Sequence, residues 1–254
     1  MLGGVSMARS SSNSRLDLTL LPQAPDLSYE GLLWSQALTY VAGIDEAGRG
    51  ALAGPVAAAA VVLPADLEIV QRLAGVRDSK QMTPSQRERW AAEIKLRAVF
   101  WAVGTASPQE IDAIGILPAT RLAVHRALDL LEPVVEHLLL DYLLLPECTL
   151  PQTSLLKGDR RSLSIAAASI LAKTARDAWM CELEVQFPGY GFAVHKGYGT
   201  HRHLAALERL GPSVVHRKSF RPVSDYNQSR FQKMNAVTME KITASVRIKK
   251  NACE

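Results

Sequence analysis

The 254-residue chain contains no run of about 18 or more apolar residues, so no segment is expected to cross a membrane. Its opening stretch, Met1 to Ser14, is rich in Gly and Ser. It lacks the apolar core of about 7–15 residues that a secretory signal needs, which makes the cytoplasm the expected location. Met7 is an alternative start. Cysteine is scarce: Cys148, Cys181 and Cys253 are odd in number, widely spaced and without a Cys-x-x-Cys pair. They read as free thiols of a reducing compartment. No His/Cys cluster has the spacing of a zinc site, which argues against zinc. No internal repeat is present.

What the sequence does contain is apolar substance and an uneven charge. Hydrophobic residues make up 48% of the chain, enough for a substantial core. The net charge of +4 divides into +7 for residues 201–254, with eleven Lys/Arg against four Asp/Glu, and −3 for residues 1–200. Charge alone fits both a polyanion-binding segment and a solvated basic tail.

Residues 1–30 are expected to form a disordered extension, with Ser-Ser-Ser-Asn-Ser at 10–14 and Pro22 and Pro25, although helix-like spacing begins at Leu27. Tyr40 to Ile44 has strand character and runs into Asp45-Glu46, and Pro55 to Leu63 reads as its hairpin partner. Pro84 to Arg97 reads as a helix with Thr83 as N-cap and Pro84 at its first position. Val99 to Thr105 returns to a strand, and Ser107 with Glu110 forms a capping box that starts the next helix. Pro118 to Leu131 is helical, Leu138–Leu140 is a strand ending at Asp141, and Thr153 to Leu156 is a short extended piece. Ser164 to Phe187 is the longest helix, its small residues at 166–169 allowing close approach to a sheet. A further helix spans Thr200 to Leu210, and residues 224–254 read as a basic, loosely ordered tail. Strands followed by alternating strands and helices imply an α/β domain with a mixed sheet.

Phosphodiester hydrolysis needs a deprotonated water and stabilisation of a developing oxyanion, which two divalent ions roughly 3.5–4 Å apart can supply. Mg²⁺ binds oxygen ligands, usually a few carboxylates plus substrate phosphates. Carboxylates at the ends of buried strands are costly unless paired or metal-bound, which singles out Asp45 and Asp141. Glu46 and Asp159 complete the candidates, although any one of the four, taken alone, more often serves a structural role at a strand end or cap.

Gly43-Ile-Asp-Glu-Ala-Gly-Arg-Gly50 with Leu52-Ala-Gly-Pro-Val56 resembles the opening motif of type 2 ribonucleases H, the ribonuclease HII family. The resemblance continues in order through Arg77-Asp-Ser-Lys80, Leu140-Asp141, Lys157-Gly-Asp159, Ser164 to Asp177, Tyr190-Gly-Phe192, His195 to Thr200 and His216 to Phe220. It implies an RNase H-like mixed β-sheet flanked by helices, with a small helical C-terminal region, over residues 39–223. It further implies catalysis and metal binding by Asp45, Glu46, Asp141 and Asp159, with two Mg²⁺ or Mn²⁺ ions when substrate is bound. RNA–DNA hybrids and DNA containing ribonucleotides are the implied substrates, cut on the 5′ side of a ribonucleotide to give 5′-phosphate and 3′-hydroxyl ends. A monomer is expected.

Gly48, Arg49 and Gly50 would read the ribonucleotide, since glycines let backbone groups approach a 2′-hydroxyl. Tyr198 matches the tyrosine that packs on the following deoxyribose, and Ser79, Lys80, His195 and Lys196 are candidate phosphate contacts. Arg176 and Asp177 read as structural, in an intrahelical or tertiary ion pair, His125 and His137 as packing or surface residues, and Trp90, Trp101 and Trp179 as core. Two departures stand out. Tyr142 follows Asp141 where the family commonly has Gly, and is expected to crowd the third ligand; Gly115 stands where Asn is common. A hybrid-binding protein without activity is disfavoured by the four carboxylates, and a DNA recombinase or junction resolvase by Gly48–Gly50 and Tyr198.

Overall fold

The strand ahead of the acidic pair becomes β1 (Val41–Ala47), the centre of a five-stranded sheet in the computed structural model, which describes residues 21–131 and 135–226. β2 (Val56–Val62), β3 (Phe100–Ala106), β4 (His137–Asp141) and β5 (Gln152–Leu155) complete it in the order β3-β2-β1-β4-β5. β1 pairs antiparallel with β2, and β2 with β3, whereas β1 with β4 and β4 with β5 are parallel. The sheet is therefore mixed and the fold α/β.

The helices are α1 (Ser28–Trp34), α2 (Ile69–Arg72), α3 (Pro84–Arg97), α4 (Pro108–Ile114), α5 (Ile116–Asp129), α6 (Leu163–Gln186), α7 (Phe192–His195) and α8 (His201–Leu210). Thr83 caps α3 as expected and also forms a capping box with Gln86, and the expected box of Ser107 with Glu110 starts α4. α6 packs on one face of β1 and β2, and α5 packs across β2 and β3 on the other. With helices on both faces, every residue of β2 is buried, and its small and β-branched composition suits that double burial.

Close approach of α6 to β1 depends on Gly43, where any Cβ would be driven into the backbone and hydroxyl of Ser164. Val41 and Ile44, both buried close to Asp45, each contribute about 1.5–3 kcal/mol by burial, which offsets the cost of carrying a carboxylate in the same strand. Beyond the sheet, Phe192, Ala206 and Leu207 join Leu52, Met180 and Tyr190 in a separate apolar cluster. This is the expected helical C-terminal region.

Two expectations need correction. The boundary at residue 30 falls inside α1, whose Glu30 is fully buried, and Asp26 already pairs with the segment at Ser162. The remainder of the expected extension, up to residue 20, and the tail beyond 226 lie outside the described residues. Trp101 is not core: it is 39% exposed, because β3 is an edge strand, and Lys95 lies over its ring at 4.6 Å. Trp90 does pack against the core, under Gly75, and Trp179 is half-buried. No helix among the described residues is long and apolar enough to cross a membrane.

Candidate active site

Parallel pairing of β1 with β4 sets Ile44 opposite Leu140, so the next position of each strand brings Asp45 level with Asp141. Side chains alternate across a sheet, and Asp45 and Asp141 share the α6 face with Val41 and Leu139. Asp159 arrives from a single 3-10 turn, Gly158–Arg160, immediately before α6. Carboxylate oxygens of Asp45, Asp141 and Asp159 all lie within 4.8 Å of one another. Glu46, the next residue along β1, belongs by alternation to the opposite side. It stands at the edge of the cluster, with its carboxylate accepting from Arg49 Nη1 at 3.2 Å.

The hydrogen bonds orient the cluster. The backbone N–H of Gly158 donates to Asp141 Oδ1 at 2.7 Å, and that of Glu46 donates to Asp45 Oδ1 at 2.7 Å. Burial is the first cause that raises all four carboxyl groups above the ordinary range. Repulsion from Glu46, Asp141 and Asp159 adds to it at Asp45, while Arg49 opposes it at Glu46. Asp159 is pushed up to about 6 by burial, then by Asp141 and Asp78. Lys80 Nζ stands 3.7 Å from Asp159 Oδ2 and partly offsets the negative charge. The site thus collects more negative charge than its own cations balance, which is what a divalent cation would relieve.

The turn after β1 is held by two fully buried arginines. Arg176 on α6 donates to the carbonyls of Pro55 (2.8 Å), Ala53 (3.1 Å) and Lys196 (2.9 Å). Arg217 donates to the carbonyls of Gly54 (3.1 Å) and Arg49 (2.8 Å). Gly48, at φ +93°, lies directly against the Arg176 guanidinium, where a side chain has no room. Asp177 forms the intrahelical and tertiary ion pairs expected, with Lys173 and Arg87, whereas Arg176 binds backbone carbonyls instead. Arg217 was missed as a site-building residue, since a lone arginine after His216 carries no signal of its burial.

Lys80 is exposed, at 77% of its side chain, and faces the cluster. Tyr198 is 37% exposed, with the charged groups of Lys173 and Arg176 at 5.8 and 5.5 Å from its ring centre. Lys196, in left-handed conformation, donates from Nζ to the Asp177 carbonyl and to Cys181 Sγ. An open groove lined by Arg87, Lys173, Asp177, Lys196 and Tyr198 runs alongside. Ser79 and His195, expected on phosphate, are both buried. The Ser79 hydroxyl accepts from Ser169 Oγ at 2.7 Å. His195 Nδ1 accepts from the Gly197 N–H, leaving Nε2–H to donate to the Tyr190 carbonyl. As placed, neither ring nitrogen of His195 faces outward.

Tyr142 does not crowd Asp141. It adopts φ +45° and projects its side chain into solvent, 72% exposed. The left-handed backbone explains why glycine suits this position, and Gly115 likewise lies at positive φ, +84°.

The sequence matches the family model for Ribonuclease HII over residues 42–223. It is 54% identical over 201 residues to ribonuclease HII of Synechococcus sp. (strain JA-3-3Ab), covering 79% of this chain and 90% of that one. Identity to ribonuclease HII of Chloroflexus aurantiacus (strain ATCC 29364 / DSM 637 / Y-400-fl) is also 54%, over 200 residues, covering 78% of this chain and 94% of the relative. Among solved structures, ribonuclease H2 from Pyrococcus horikoshii OT3 superposes with a TM-score of 0.63 at 25% identity, over 76% of this chain and 99% of that one. A match that takes in the sheet, the carboxylate-bearing strand ends and the loops after α6 points one way, and the chain belongs to the ribonuclease HII family, metal-dependent ribonucleases H that act as endonucleases on RNA–DNA hybrids.

Proposed function

We propose that this enzyme hydrolyses the RNA strand of RNA–DNA hybrids and also cuts DNA on the 5′ side of embedded ribonucleotides, leaving 5′-phosphate and 3′-hydroxyl ends. The observation that carries the reading is the convergence of Asp45, Asp141 and Asp159 within 4.8 Å, with Asp45 on the strand that leads into Gly48-Arg49-Gly50. Metal binding and ribose recognition would then share one turn.

The donor set fits a hard divalent cation: the ligand atoms are carboxylate oxygens, largely buried, with their affinity for protons raised by burial and mutual repulsion. Asp45, Glu46, Asp141 and Asp159 would hold Mg²⁺ or Mn²⁺, two ions once substrate is bound. Bound there, such ions supply the positive charge that favours a hydroxide nucleophile and a developing oxyanion. The chain's own residues do the positioning. Gly158 fixes the Asp141 carboxylate, and the Arg176 and Arg217 guanidinium groups hold the Gly48–Pro55 turn to its carbonyls. Backbone groups of Gly48–Gly50 sense the 2′-hydroxyl, which DNA lacks, and Arg49 adds a phosphate contact. Tyr198 packs on the deoxyribose that follows the ribonucleotide. Lys80 and Lys196, with the cations of the adjoining groove, meet backbone phosphates, while Ser79 and His195 support the surfaces behind them.

The test is cleavage of three duplexes with Mg²⁺ or Mn²⁺ and mapping of the product ends. One duplex is an RNA–DNA hybrid, one is DNA with a single ribonucleotide, and one is DNA alone. The first two should be cut with the stated ends and the third left intact. Binding without cleavage, or cleavage of DNA alone, would contradict the proposal.

A further inference from the structure

Three buried histidines lie behind Tyr198, and their hydrogen bonds fix every ring nitrogen. Ser213 donates its N–H to His216 Nδ1 at 3.0 Å, so the His216 proton sits on Nε2. That proton points at His203 Nε2, 3.1 Å away, which must accept; His203 Nδ1–H then donates to the Tyr198 carbonyl at 3.0 Å. His195, stacked on His203 with ring centres 4.4 Å apart, is fixed independently between the Gly197 N–H and the Tyr190 carbonyl. Tyr190 and Phe192 close the box around His216 and His203.

The loop these rings support has little stiffness of its own. Gly197, at φ +81°, and Gly199 flank Tyr198, and glycine is the least restricted residue. A fully satisfied buried polar network is a source of rigidity that such a sequence lacks. We infer that His203 and His216 are positioning residues for substrate selection, holding the Tyr198 carbonyl so that the ring above it meets the sugar next to the ribonucleotide. Nothing else on α8 reaches Tyr198 by a side-chain hydrogen bond among the described residues; the loop itself contributes only the Thr200 N–H to that carbonyl. The chain of bonds requires neutral rings: a second proton on His203 would fall on Nε2 and face the His216 Nε2–H, and one on His216 would fall on Nδ1 and face the Ser213 N–H. Burial, reinforced by the neighbouring rings, accordingly holds both histidines down at about 4.

The inference rests on the junction role proposed for Tyr198, and the experiment separates the two. Steady-state kcat and KM are measured on DNA with one ribonucleotide and on a long hybrid, for the wild type, His203→Phe, His203→Asn and Tyr198→Ala. His203→Phe keeps the ring but removes both bonds, and should lower kcat/KM on the single ribonucleotide by about fivefold, the value of one net hydrogen bond, with a smaller loss on the hybrid. His203→Asn, whose amide nitrogen can take the place of Nδ1, should recover most of that selectivity. Equal losses on both substrates, or no recovery with Asn, overturn the inference. If Tyr198→Ala is selective and His203→Phe is not, the junction reading stands and the histidine role falls; an unselective Tyr198→Ala removes the junction reading itself. Should His203→Phe fail to fold, His216→Asn takes its place, with a selective loss expected and an even loss contradicting the inference.

Discussion

Asp45, two residues before the end of β1, and Asp141, the last residue of β4, stand level on two parallel, adjacent strands, with their carboxylates on the same face and Asp159 closing the group to within 4.8 Å. Three segments separated by almost a hundred residues and by seventeen meet at one point because β4 crosses back to lie beside β1. Without a cation this arrangement is repulsive, and that repulsion has measurable consequences.

Asp45→Asn should stabilise the metal-free protein at pH 7. The folded-state affinity of Asp45 for its proton is raised, and that of Asp159 reaches about 6, so the native state binds more protons than the unfolded chain between pH of roughly 4 and 6. Stability contributed by these groups therefore falls as pH rises through that window. Removing one charge should raise the melting temperature at neutral pH by a few degrees, with the gain fading toward pH of about 4. His203 and His216 act in the opposite sense, since their lowered values favour the native state as pH rises from about 4 toward 6.5, but they are common to both proteins and cancel in the comparison. Thermal melts across pH, with and without Mn²⁺, check this; a loss of metal-free stability at pH 7 would contradict it.

Glu30→Ala should destabilise the fold although residue 30 lies before the part matched to the family. Glu30 Oε1 accepts from Ser162 Oγ (2.6 Å), Ser164 N (2.9 Å) and Ser164 Oγ (2.6 Å), bridging α1 to the start of α6 just after Asp159. Leaving those buried donors without an acceptor costs about 2–3 kcal/mol. Glu30→Gln, which keeps an acceptor oxygen, should lose less. An unchanged melting temperature for Glu30→Ala would mean that α1 is not part of the folded body.

Tyr142→Gly should leave cleavage unchanged and stability equal or slightly higher. Left-handed backbone costs a non-glycine residue about 1–2 kcal/mol, and glycine returns part of that through its freer unfolded chain, for a net gain of about 0.5 kcal/mol. Denaturant melts and single-ribonucleotide cleavage measure both; a marked loss of activity would show that the Tyr142 ring touches substrate.

Local chemistry was legible in the sequence wherever one segment decided its own structure. Thr83 and Pro84 fixed the start of α3, Ser107 and Glu110 that of α4, and the small residues of α6 foretold its contact with the sheet. The acidic positions were legible through the motifs around them. What could not be read was the company each side chain keeps across the fold. Trp101 looks like a core residue by pattern, yet it lies on an edge strand; His195 looks like a loop donor, yet its ring turns inward to Tyr190. Arg176 and Arg217 bind carbonyls more than a hundred residues away, and His203 finds His216 from a neighbouring loop. Periodicity reports which face of an element is buried; it does not report which distant atoms meet there.

Under the proposed function, Asp45 serves the reaction through a bound cation and not through the nucleic acid. The most direct measurement compares Asp45→Asn with the wild type for hybrid binding and for Mn²⁺-supported cleavage of a duplex with one ribonucleotide. Cleavage should fall by a factor on the order of 10³ while hybrid affinity changes little. Near-normal turnover, or a loss of binding that accounts for the loss of cleavage, would contradict the account.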